Sequence, residues 1–237
     1  MGDELTFSRG RCIMEETEKK EGAVYMDYIE KIRQLAEKAS SLHVLNYNNP
    51  TKHDKLFNPP ATKQQIINFE QEIGMTLPIA FVRYLTELGN GGVGADYGIW
   101  SLDEIRQHNN FITIRNALSP MLDHSMTDTQ WTEFAETYMS IDERIYGASN
   151  DECEQLTEKL LEMQRQMTAG GIFISTPGGT MLSILMCRGN ASGEVFVLDF
   201  DYMEQIYSEP QCCGKFEDWI INDLQERIDK ANSNMSN

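Results

Sequence analysis

The hydrophobic pattern of this chain changes period at Gly170-Gly171, and that change constrains the fold more than any other feature. Ahead of it, apolar residues recur at three- and four-residue spacing, as in helices with one buried face. Behind it, residues 172–175, 180–187 and 194–200 read as extended segments, joined by Pro177-Gly178-Gly179 and by the turn at 188–193. Short turns join only antiparallel neighbours, so these segments predict an antiparallel meander. A closing helix carries Phe216, Trp219, Ile220, Leu224 and Ile228, and a polar tail is expected over 231–237. The expected fold class is α+β, an antiparallel sheet packed with helices.

The helical half divides further. Residues 1–22 lack apolar periodicity and read as an arm; Tyr28, Ile32, Leu35, Ala39 and Leu42 then predict a helix over 25–41, and 46–60, with three prolines, a loop. Thr62 and Gln65 make a capping box ahead of Ile66, Phe69 and Ile73, with Gly74 at the helix end. Leu77-Pro78 restarts the chain into a stripe of Phe81, Leu85 and Leu88, stopped by Gly89-Asn90-Gly91-Gly92. Tyr97 to Trp100 reads as a short strand, and Ser101 with Glu104 as a second capping box. Trp131, Phe134, Tyr138, Ile141 and Ile145 form one narrow stripe, and Cys153, Leu156, Leu160, Met163 and Met167 another, with Gly147 to Asn150 between them. This predicts a helical hairpin whose helices pack on each other and on the rest of the domain.

Composition excludes several functions. The net charge of -17 opposes binding to phosphate backbones, so no nucleic-acid partner is expected, while a basic protein would be attracted. No apolar run is long enough to span a membrane and the N-terminal residues are too polar for a secretory signal, so a cytoplasmic protein is expected. Met1, Gly2 and Thr6 fit the myristoylation spacing, but Asp3 and Glu4 crowd it. Cys12, Cys153, Cys187, Cys212 and Cys213 are odd in number and lack a C-x-x-C pair, which reads as thiols rather than disulfides or zinc ligands. Cys212 and Cys213 are expected in a loop, and Cys187 in the core. His43, His53, His108 and His124 show no metal-ligand pairing, and the glycines from Gly91 to Gly98 miss the dinucleotide and P-loop spacings. Neither cofactor nor metal is expected. Asp199 and Asp201, two apart on a strand, suit a charged strand end better than a cation site.

Two stretches resemble the SUKH superfamily of bacterial toxin-immunity proteins and fungal cell-wall assembly regulators. The first runs from Ile66 through Gly74, Leu77 and Pro78 to Asn90-Gly91-Gly92; the second runs from Ile172 to Gly193-Glu194-Val195-Phe196-Val197-Leu198-Asp199; Phe216 to Ile220 resembles the family's final helix. The resemblance implies a single SUKH-like domain over 61–230, after an N-terminal arm, helix and loop over 1–60. Residues 106–170 stand as an insertion where relatives pass quickly from first strand to hairpin. The matched residues, Gly74, Leu77, Pro78, Asn90, Gly91, Gly92 and Gly193, are scaffold positions and carry no catalytic duty.

The resemblance therefore implies a non-enzymatic protein-binding function. One reading is an immunity protein that neutralises a toxin domain, often a basic nuclease; the alternative is a regulatory scaffold for signalling partners. Asp96, Tyr97, Trp100, Asp103, Glu104, Asp199 and Asp201 are the candidate partner-binding residues. The insertion, with eleven acidic against five basic side chains, reads either as a recognition element or as a solvated lid over the sheet. A small hydrolase built on Asp199, Asp201 or His124 lacks a convergent acid, base and nucleophile set.

Overall fold

The first apolar stripe folds as helix α1, Tyr28–Ser41, in a computed structural model that describes residues 27–45, 55–109, 119, 122–179, 181–199 and 210–235. Helix α2, Lys63–Ile73, starts at the expected capping box: the Thr62 hydroxyl accepts from the Gln65 amide, and the Gln65 side chain accepts from the Thr62 amide. Two amides that no helical carbonyl can reach are thereby satisfied. Gly74, left-handed, ends the helix. Pro78 precedes α3, Ile79–Arg83, which widens at once into a π-helical turn, Tyr84–Leu88. That turn sends Tyr84, Leu85 and Leu88 together into the core, where the Tyr84 hydroxyl donates to the Val93 carbonyl at 2.6 Å.

Helix α4, Leu102–His108, opens on the Ser101–Glu104 capping box. Helices α5, Asp128–Ile145, and α6, Asn150–Thr168, are the two halves of the predicted hairpin, and α5 has its own capping box at Thr127 and Gln130. The strand expected from Tyr97 to Trp100 reduces to a single bridge between Gly92 and Ile99. Asp96 and Gly98, with φ of 55° and 101°, bend this segment out of extended geometry.

Strands β1, Gly171–Gly178, β2, Met181–Met186, β3, Glu194–Asp199, and β4, Gln211–Lys215, form one antiparallel sheet in the order β1-β2-β3-β4. The meander is as expected, but β4 corrects the placing of Cys212 and Cys213 in a loop. Its polar, glycine-containing sequence has no alternation, and pairing with β3 makes it a strand. Alternation along the strand leaves the two thiols on different cores. Helix α7, Phe216–Met235, follows directly and runs through residues expected to be a polar tail. There Ser233 donates to the Asp229 carbonyl, so solvated polar residues still continue the helix.

The sheet is buried on both faces. Ile172, Ile174, Leu185 and Val195 face a cluster formed with α2, α3, the π turn and α7. Phe173, Ile184, Met186, Phe196 and Leu198 face a second cluster with Leu122 and Met167, which belong to the insertion. Helix α1 joins the first cluster through Ile29, Ile32, Ala36 and Ala39. Arg83 ties it down by donating to both Asp27 carboxylate oxygens, at 3.1 and 2.6 Å, beneath the Tyr28 ring. Gly92 (φ 141°) is required where the chain folds back, because a Cβ there would stand 2.6 Å from the Leu56 carbonyl oxygen.

Candidate binding surface

Residues 96–104 leave the Gly91-Gly92 turn along the β1 side of the sheet, where the Tyr97 and Trp100 amides donate to the Thr176 and Ile174 carbonyls at 3.2 and 2.9 Å. The candidates on this segment point in different directions. Asp96 turns inward: its carboxylate accepts from the Ser183 hydroxyl of β2 at 2.5 Å, and its carbonyl from Arg227 of α7 at 2.7 Å. Burial pushes its carboxyl above the usual range, against the pull of hydrogen bonds from Ser183 and Ser175. Asp223 on α7 is raised as well, by burial first, although Arg227 Nε lies 2.7 Å from its carboxylate. Asp96 is thus a joint between sheet and last helix.

The Tyr97 ring lies against Gly178 so closely that a Cβ would stand 2.5 Å from Tyr97 Cε2. Trp100 is half-buried and stacks on His108 with ring centroids 4.0 Å apart. Glu104 is occupied by its capping box, whereas Asp103 is exposed and pairs with Arg106 at 2.6 Å. Among the acids of this segment, Asp103 is the exposed one. The scaffold residues hold these positions: the Asn90 side chain accepts from the Leu102 amide at 2.9 Å, Leu77 is buried, and the Gly193 amide donates to the Met186 carbonyl at 2.8 Å.

Strand register fixes the remaining candidates. Gly178, Met181 and Asp199 lie in one cross-strand row, so the backbone of Asp199 shares an end of the sheet with Tyr97. Asp201 lies outside the described residues. His124 belongs to the opposite end, where its Nε2 is 2.7 Å from Glu194 at the start of β3. Five residue steps along the strand, roughly 16 Å, separate Glu194 from Asp199, so His124 and Asp199 do not converge. Burial tends to raise the Glu194 carboxyl, but hydrogen bonds from His124 and Lys215 prevail and hold it below its usual range. Cys187 is buried, and burial pushes its thiol up to about 12, which removes the thiolate a nucleophile needs.

The hairpin differs from the rest of the surface. Its stripes close on each other in a separate cluster of Trp131, Ala135, Tyr138, Ile141, Leu156, Leu160 and Met163. Among the described residues, the insertion reaches this face of the sheet through Leu122 and Met167, and this base covers the sheet as a lid would. Along the hairpin Glu133, Glu136, Glu143, Asp151 and Glu154 are exposed, and Tyr146 at the tip is 88% exposed. Sequence reasoning did not foresee Asp123, just ahead of the hairpin, whose buried carboxylate accepts from the amides of Asn190 and Ala191 and docks the insertion on the β2–β3 turn. An aspartate between Leu122 and His124 gives no sign of a partner nearly 70 positions away.

Fold and surface together define an α+β scaffold whose distinctive feature is a helical hairpin with its own apolar cluster and exposed acidic side chains. The chain belongs to the SMI1 / KNR4 family (SUKH-1), whose sequence model matches residues 60–222. Members are generally non-enzymatic immunity or regulatory proteins that bind protein partners. Neither the curated proteins nor the solved structures compared with the chain gave a match. No helix among the described residues is long and apolar enough to cross a membrane.

Proposed function

We propose that this chain is a cytoplasmic immunity protein that captures and occludes a basic toxin domain, such as a nuclease, with the α5–α6 hairpin as its main recognition element. The observation that carries this reading is the hairpin's construction: its apolar stripes are consumed in its own core, and exposed glutamates and aspartates remain outside around Tyr146. Acidic residues on a projecting element accelerate encounter with a basic partner, and an exposed aromatic supplies the kind of anchor that dominates binding energy. Asp103 and the half-buried Tyr97 and Trp100 extend the surface along the sheet edge.

The test is binding to a panel of basic toxin nuclease domains at low and high salt. The wild-type chain binds a cognate domain, more weakly as salt rises, and the combined reversal Glu133→Lys, Glu136→Lys and Glu154→Lys weakens binding by about tenfold or more. Silence across the panel at low salt, or binding indifferent to the hairpin reversal, overturns the reading.

A further inference from the structure

Where the insertion joins the sheet, three side chains of metal-ligating chemistry meet. His124 lies in the turn before α5, Glu194 begins β3 and Cys212 lies on β4. His124 Nε2 is 2.7 Å and Cys212 Sγ 3.8 Å from the same Glu194 oxygen, and the three ligand atoms all lie within 4.8 Å of one another. A tetrahedral zinc-class ion, with bonds of about 2.0–2.3 Å, sets its donors roughly 3.3–3.7 Å apart. The observed 2.7 and 3.8 Å separations bracket those values.

The backbone positions all three residues. Asp123, anchored on the Asn190 and Ala191 amides, fixes the turn in which His124 takes a left-handed conformation (φ 58°) beside Phe196. Phe196 is the cross-strand partner of Cys212, so Glu194 is the thiol's diagonal neighbour on that strand. Lys215 lies 3.2 Å from the other Glu194 oxygen, Oε1, leaving Oε2 toward the histidine and the thiol. Imidazole, thiolate and carboxylate together suit zinc-class ions, whereas magnesium and calcium take all-oxygen shells.

We propose that His124, Glu194 and Cys212 form a three-ligand site for a divalent transition-metal ion of the zinc class, with water in a fourth position, which clips the base of the hairpin to the sheet. The ion replaces the His124–Glu194 contact and displaces the thiol proton, so affinity falls as pH falls.

The full-length chain is titrated with cobalt(II) as a spectroscopic stand-in for zinc. One equivalent produces a thiolate-to-cobalt charge-transfer band together with tetrahedral d–d bands, and zinc abolishes both. Cys212→Ser eliminates the charge-transfer band; His124→Asn, which suits the left-handed backbone, and Glu194→Gln each weaken binding by about tenfold or more; Cys213→Ser leaves the band intact. A wild-type chain without the band, or a band that survives Cys212→Ser, overturns the proposal, as does unchanged affinity in both His124→Asn and Glu194→Gln. The wild-type titration decides on its own whether a thiolate site exists, so a variant that fails to fold does not shelter the idea.

Discussion

Asp96 shows how little a residue's type reveals about its use. In the sequence it is an acid beside an aromatic pair and a reasonable partner-binding candidate; in the fold it accepts from Ser183, 87 positions away, and faces Arg227 through its carbonyl. Only strand register brings these groups together, so no local signal announces the joint. The raised carboxyl also fixes the sign of a pH effect. A group that holds its proton more tightly when folded stabilises most below its unfolded value, near 3.8, and that stability is lost as pH rises through the higher folded value. Asp96→Asn keeps an acceptor for Ser183, tolerates φ of 55°, and cannot ionise. Its unfolding free energy from urea titration at neutral pH should equal or exceed that of wild type, by up to about 1 kcal/mol, with the advantage vanishing toward pH 3. A strong loss at neutral pH would show instead that Arg227 requires the Asp96 charge.

At the scale of elements, the helices were the legible part. Stripes at three- and four-residue spacing gave α1, α2 and both hairpin helices, and Thr62 and Ser101 marked two starts, because amphipathic period and capping are local properties. Strand β4 was not legible, since an edge strand with glycine and polar residues exists only through its neighbour. The separate cluster within the hairpin predicts separate behaviour. Leu160→Ala, at a buried position of that cluster, should cost the hairpin about 2–4 kcal/mol. Hydrogen exchange checks it: amides of α5 and α6 lose protection while those of β1 to β3 keep theirs. Equal loss in the sheet would mean that hairpin and sheet open as one unit.

Across the whole molecule, the family segment ends before the core does. Residues 60–222 exclude α1, yet Ile32 is fully buried in the cluster that holds Phe69, Phe81 and Phe216. Ile32→Ala should therefore cost about 2–5 kcal/mol of global stability, read as a lowered urea midpoint with an unchanged slope. An effect below about 0.5 kcal/mol would make α1 an appendage, as the division at residue 60 suggests. The sequence alone determined the α+β class, the meander, the helical hairpin, the family and the acidic field, because period, turn chemistry and net charge are properties of the chain itself. Tertiary structure decided which acids face inward and which face outward, that α1 completes the core, and that His124, Glu194 and Cys212 meet. Each of those outcomes depends on residues dozens of positions apart, which only strand register and helix packing bring within bonding distance.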